Sequence, residues 1–184
     1  MFPISLPTEW LSADQDQGLI SSAAALDWIR SESSLTVRIK ELGIAFSLEV
    51  LSQSNQPLSP ELQQTLATKD TTALFREVLL KQAGIPLIYA QTIMPQSSVT
   101  GTEAMLAELG NQPLGQVLFQ SPQATRGAIE FAQVQYNSTL ATFIEQNLQQ
   151  PMQEECYIRR SKFLLNKKPL LVCECFLPAL FIED

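Results

Sequence analysis

A single acid interrupts the apolar run Leu170-Leu171-Val172-Cys173-Glu174-Cys175-Phe176-Leu177. A run of this length reads as a strand, and alternation along it places Glu174 with Val172 and Phe176, while Cys173 and Cys175 point the other way. A carboxylate on such a face costs on the order of several kcal/mol unless a cation or hydrogen-bond donors compensate it. The fold must therefore bring it a partner. Arg76 lies in a comparable setting, Leu74-Phe75-Arg76-Glu77-Val78-Leu79-Leu80, where alternation groups it with Leu74, Val78 and Leu80. Two opposite charges are thus predicted to enter one interior. Alternation leaves open whether they line a functional pocket or form a structural ion pair, or whether the register lets one of them reach a sheet edge.

The rest of the pattern supplies the sheet and its cover. Residues 74–82 and 85–93 flank Ala83-Gly84, and residues 156–165 and 169–177 flank Asn166-Lys167-Lys168, so each pair is predicted to form a hairpin. Helical spacing predicts a helix over 21–30, a short one after Ser34 closed by Gly43, and a turn of helix at 61–66. A short helix over 102–108 should end at Gly110. An amphipathic one over 137–149 should turn Leu140, Phe143, Ile144 and Leu148 inward. Residues 45–51 read as a strand, 52–60 as a polar connection, 95–99 as a loop, 114–119 as an apolar patch after Pro113, and 125–135 as a weaker strand. With no βαβ alternation, these elements predict one α+β domain over residues 1–184, built on a single, largely antiparallel sheet.

Composition narrows the chemistry. At 184 residues and 45% hydrophobic, the chain can bury one real core, and its net charge of −7 disfavours a nucleic-acid surface. No apolar stretch approaches the roughly 20 residues of a bilayer span, and residues 1–5 lack the basic start of a signal peptide, which predicts a cytoplasmic setting. The 3 cysteines are expected to be reduced core thiols. With 0 histidines, a Ser-His-Asp triad, a Cys-His dyad and a His-based zinc site are all excluded. Neither GxGxxG nor GxxxxGK[ST] occurs. The expected tools are carboxylate, guanidinium and backbone groups.

Four segments together resemble the chorismate pyruvate-lyase family: Ser34-Leu35-Thr36, FREVLLKQAGIPLIYAQTIMP from Phe75, LAELGNQPLGQVLF from Leu106 and RRSKFLLNKKPLLVCECFLP from Arg159. They follow the family's order over most of the chain, and LG..PLG..LF followed by RRS and PLL..E.FLP is the specific combination. The resemblance implies a monomeric lyase that removes pyruvate from chorismate, chemistry that requires no metal or organic cofactor. The product would be 4-hydroxybenzoate, feeding the head group of ubiquinone or plastoquinone. It further implies an antiparallel sheet with helices packed on it and a ligand pocket enclosed under flaps. The family's substrate-binding arginine falls on Arg76, its essential acid on Glu174, and its backbone contacts to ligand on Leu35 and Leu114. Two departures stand out. Gln91 replaces an arginine of the family pattern, which implies altered entry or orientation of the substrate, and residues 136–152 are longer than in the shorter bacterial members.

Other prominent residues have plainer readings. One of Arg159 and Arg160 should be solvated and the other brace a buried acid or the sheet. Lys167 and Lys168 should be solvated in a turn, and Trp10 and Trp28 should anchor the core. A different class of protein, the effector-binding domains of some helix-turn-helix regulators, resembles the same architecture and senses small anions without turning them over, so the alternative for this chain is a non-catalytic binder of small aromatic acids. This chain has room for only two short helices before its sheet and no basic recognition helix, which counts against a repressor.

Overall fold

The computed structural model describes residues 2–15, 18, 20–43, 45–152 and 156–182. Seven strands, β1 (Leu11–Ser12), β2 (Phe46–Pro57), β3 (Thr72–Gln82), β4 (Ile85–Pro95), β5 (Ala124–Gln133), β6 (Tyr157–Leu165) and β7 (Lys168–Phe176), form one sheet in the order β1-β5-β6-β7-β4-β3-β2. All neighbouring pairs are antiparallel. Five helices accompany it: α1 (Ala23–Arg30), α2 (Leu35–Glu41), α3 (Pro60–Leu66), α4 (Leu114–Gln120) and α5 (Thr139–Thr142). Two 3-10 segments, Gln96–Val99 and Gly101–Glu108, lead from β4 to α4.

Both hairpins form where the sequence predicts them. Ala83 and Gly84 take φ of 48° and 82°, and Asn166 and Lys167 take 49° and 65°. Positive φ at both central residues matches the twist of the flanking strands. The turn of the second hairpin is therefore two residues long. Lys168 opens β7 and is not free in solvent: its ammonium lies 2.6 Å from the carboxylate of the buried Glu103.

The central strands are apolar on both faces because both faces are covered. On one, Ile4, Leu66, Leu140, Phe143 and Ile144 pack against Phe75, Leu79, Tyr89, Cys173 and Cys175. On the other, Trp28, Ile29, Leu35 and Ile39 of α1 and α2 pack on Val78, Leu80, Ile88 and Phe176. Beside them, Leu106, Leu109, Leu114 and Leu118 cover Leu74, Met94, Phe163 and Leu170. Ile29 and Ile39 are fully buried, and each such side chain contributes about 1.5–3 kcal/mol relative to an exposed one. All three cysteines are buried and free, with Cys156 and Cys175 Sγ 3.9 Å apart.

Several elements differ from expectation for physical reasons. β2 runs through residues 52–57 as a strand because it is the sheet's edge, where alternate polar side chains meet solvent. Residues 114–119 wind into α4. The segment predicted as one helix over 137–149 is a short α5 that continues as a π turn over Phe143–Asn147, although Leu140, Phe143 and Ile144 are buried as predicted. Trp28 is a core residue, whereas Trp10 is only half-buried and lies under the Arg160 guanidinium, 4.4 Å from its ring centre.

Candidate functional site

Between the sheet and the pair α2/α4 lies a narrow recess with a cavity volume of about 50 Å³. Register explains its floor. Val78, Ala90, Glu174 and Arg159 are consecutive cross-strand partners on β3, β4, β7 and β6, and Arg76, Thr92, Val172 and Ser161 form the adjacent row. Partners directly opposite share a face, so both rows point toward α2 and α4. Ala90 and Thr92, small side chains on the strand between Arg76 and Glu174, leave room that a larger residue would fill. Arg76 and Glu174 stand two strands and one row apart, a backbone separation of roughly 12 Å, from spacings of about 4.8 Å across strands and 3.4 Å per residue along them. Both line the recess.

Arg76 is 2% exposed. Its Nη1 donates to Gln53 Oε1 at 3.1 Å, and its Nη2 donates to the carbonyls of Gly110 at 2.8 Å and Gln112 at 3.3 Å. These acceptors are neutral, and no carboxylate among the described residues pairs with it. Burial accordingly lowers its pKa from the ordinary arginine value. β2, the strand that the polar 52–57 sequence hides, supplies the Gln53 brace.

Glu174 does not pair with Arg76. Its Oε2 accepts from Arg159 Nε at 2.8 Å, and Arg159 Nη1 also donates to the carbonyls of Trp28 at 3.1 Å, Ile29 at 3.2 Å and Ser31 at 2.6 Å. Arg159 thus joins the acid to the C-terminal end of α1, where a cation is favoured by the helix's terminal carbonyls. It is the bracing member of the Arg159-Arg160 pair. Arg160 points to the other face and bonds Glu130 at 2.7 Å.

A third guanidinium lines the recess, and sequence reasoning passed over it. Arg126 donates through Nε to Ser161 Oγ at 3.0 Å, and through Nη1 to the carbonyls of Ser31 at 3.4 Å and Glu32 at 3.2 Å. Alternation from Phe131 and Ile129 would send Arg126 to the opposite face. A bulge between Arg126 and Ile129 inserts an extra residue, so Arg126 instead pairs with Phe163 and shares its face. Gly127 occupies the bulge, where a Cβ would lie 3.1 Å from the Lys162 carbonyl oxygen. Gly127-Ala128 was the available signal, because a glycine inside a strand pattern marks such irregularities.

Leu35 and Leu114 are the first residues of α2 and α4, and both border the recess. First-turn N–H groups have no partner within a helix. Ser34 makes no side-chain cap, and Pro113 has no side chain that could make one. The two helix starts approach closely: a Cβ on Gly115 would lie 3.4 Å from Ser34 Oγ.

Gln91 is not in this recess. It faces the other side of the sheet, where its Nε2 donates to the Ile4 carbonyl at 2.9 Å and to Glu77 Oε1 at 3.3 Å. Adjacent strand residues point to opposite faces, so Gln91 makes no direct contact in the recess that holds Arg76 and Glu174. Its neighbourhood is a buried polar cluster in which Glu77 also accepts from Tyr89 Oη at 2.6 Å and from the Ile4 N–H at 2.8 Å.

Comparisons with known proteins agree with one another. The sequence matches the family described as Chorismate lyase over residues 6–184. A probable chorismate pyruvate-lyase of Pseudoalteromonas translucida is 40% identical over 181 residues, covering 98% of each chain. One of Psychromonas ingrahamii is 37% identical over 177 residues, covering 96% of this chain and 94% of the other. Among solved structures, the effector domain of PhnF from Mycobacterium smegmatis superposes with a TM-score of 0.55 at 12% identity, covering 81% of this chain and 91% of that one. The C-terminal domain of the histidine utilization repressor from Pseudomonas syringae pv. tomato gives 0.53 at 9% identity, covering 76% and 96%. At such identities these likenesses concern the fold alone.

Proposed function

The chain belongs to the chorismate lyase family and is a carbon–oxygen lyase; from that premise we propose that it eliminates pyruvate from chorismate to leave 4-hydroxybenzoate, with Arg76 as carboxylate clamp and Glu174 as proton carrier. The observation that carries this reading is the placement of a buried guanidinium and a carboxylate on one recess, separated by the small residues of β4.

The chemistry suits these groups. Elimination breaks the bond from ring carbon 3 to the enolpyruvyl oxygen and removes the hydrogen on carbon 4, which makes the ring aromatic. Aromatisation supplies the driving force, so the protein has to position the substrate and move one proton. Arg76 keeps its Nε–H and one Nη1–H free of acceptors among the described residues; these point to different sides of the guanidinium, so one of them, with the positive charge, is left for the ring carboxylate. Glu174, held by Arg159, takes the carbon-4 proton and returns it to the departing enolpyruvate, which becomes pyruvate. The backbone N–H groups of Leu35 and Leu114 hold the ring end, and α2 and α4 close over the bound molecule as flaps. In this reading the protein acts as a cytoplasmic monomer without metal or cofactor, and its product supplies the head group of a prenylated quinone, ubiquinone or plastoquinone.

The test is direct. Mixed with chorismate, the protein should release pyruvate and 4-hydroxybenzoate in equal amounts. Tight binding of 4-hydroxybenzoate with no pyruvate formed would favour a binding protein instead.

A further inference from the structure

We propose that Arg126 receives the second carboxylate of the substrate, the one on the enolpyruvyl side chain, while Arg76 holds the ring carboxylate. The inference deepens the reading of chorismate as substrate and rests on it.

Charge is the first argument. Three guanidiniums, those of Arg76, Arg126 and Arg159, face the recess against one carboxylate, Glu174. Only Arg159 is paired with that acid. Two positive charges are therefore left over in a protein whose net charge is −7. Cations taken out of water without counter-ions are costly, and they are retained where a ligand brings the missing charge. A dianion balances this recess. A monoanion such as 4-hydroxybenzoate leaves one guanidinium uncompensated.

Position is the second. Arg76 comes from β3, Glu174 from β7 and Arg126 from β5, on opposite sides of the acid in the order of the sheet. A substrate whose reacting carbons lie at Glu174 extends one carboxylate toward each arginine. Arg126 and Phe119 also border an outer groove lined by Asp14, Arg30 and Glu32. The side chain that leaves as pyruvate would thus sit nearest the mouth.

Donor geometry is the third. Arg126 uses Nε and Nη1 on Ser161, Ser31 and Glu32, which fixes the guanidinium plane. Its Nη2 has no acceptor among the described residues and offers two N–H groups. Glu32, which is exposed, meets Arg126 through its backbone carbonyl. Desolvation first, and then repulsion from Arg159, lower the Arg126 pKa to about 10, with Glu174 and Glu32 opposing. The side chain is a cation at neutral pH, held where an anion would relieve it.

The test compares two aromatic acids by calorimetry on the wild-type protein and on Arg126→Gln. The acids are 4-hydroxybenzoate, with one carboxylate, and 3-(1-carboxyvinyloxy)-4-hydroxybenzoate, which keeps both and cannot aromatise further. The wild type should prefer the two-carboxylate ether by about tenfold or more, the scale of one charge-assisted contact. Arg126→Gln should abolish that preference and raise KM for chorismate by a similar factor. Its Kd for 4-hydroxybenzoate should stay within about threefold, since one charge-assisted contact is worth about tenfold. Equal loss of both acids would assign Arg126 to bracing the Ser31–Glu32 turn and overturn the proposal. A preference that survives the substitution would do the same. If the variant does not fold, the wild type alone decides, because equal affinity for the two acids contradicts the proposal. Failure of the wild type to release pyruvate from chorismate would instead refute the reaction itself, and the two affinities would still report on Arg126.

Discussion

Glu174 keeps a carboxylate on an apolar strand face because Arg159 meets it at 2.8 Å and is itself 1% exposed. Removing one partner of such a pair strands the other, which costs about 3–5 kcal/mol. Arg159→Met should lose stability of that order in chemical denaturation, and a loss under about 1 kcal/mol would mean that the pair is as weak as a surface one. Glu174→Gln preserves shape and an acceptor for Arg159 while removing the proposed proton carrier. Pyruvate release should fall by about 10²–10⁴, with 4-hydroxybenzoate still bound. Arg76→Ala should weaken binding of that acid by about tenfold or more, read by calorimetry, since a charge-assisted bond is worth about 1.5–3 kcal/mol. Unchanged affinity would remove Arg76 as the clamp. At this scale the sequence was informative where alternation holds: Arg76 and Glu174 fall on one face because β3 and β7 are regular across those positions. Arg126 was illegible because its orientation depends on a bulge. The Arg159–Glu174 pairing was illegible too, because register between strands is a tertiary fact.

Among the elements, the starts of α2 and α4 and the turn at Lys168 carry the clearest consequences. Gly115 of α4 faces the start of α2, where a Cβ would already touch Ser34 Oγ and Thr36 Oγ1 and a branched side chain would reach further. Gly115→Val should hold them apart and weaken 4-hydroxybenzoate binding by about tenfold, the equivalent of 1.4 kcal/mol; an unaltered Kd would remove the helices from ligand enclosure. The segment Gly101–Glu108 is tied down through Glu103, whose carboxyl is held at about 2, against an ordinary 4.5, by Lys168 first and then by Thr102 and Asn166. A depressed folded value stabilises the fold above the unfolded value and is lost as pH falls through the folded one. The stability gap between wild type and Glu103→Gln should therefore be constant above about pH 5 and shrink between about 4.5 and 2. Parallel pH profiles of the denaturation midpoint would contradict this. Both hairpins were legible from turn residues and α2 from Ser34 and Gly43, whereas α1 and α3 start at Ala23 and Pro60 and not at the expected residues 21 and 61. The outer half of β2 was not, because an edge strand with solvent on one side carries the polar composition of a loop.

At the scale of the whole molecule, an acidic protein sets two guanidiniums with no carboxylate partner among the described residues, Arg76 and Arg126, on one recess. On the proposed reading, a low-dielectric cleft that focuses the field of these cations would draw in a dianion although the net charge of −7 repels it elsewhere. The fold is similar to that of regulator effector domains, so the architecture alone does not distinguish turnover from sensing. The distinction rests on Glu174. The most direct measurement is pyruvate release from chorismate by the wild-type protein and by folded Glu174→Gln, with 4-hydroxybenzoate quantified in parallel. The account predicts equimolar pyruvate and 4-hydroxybenzoate from the wild type and almost none from the variant. It is contradicted if the variant turns over at the wild-type rate, or if the wild type binds the aromatic acid and forms no pyruvate.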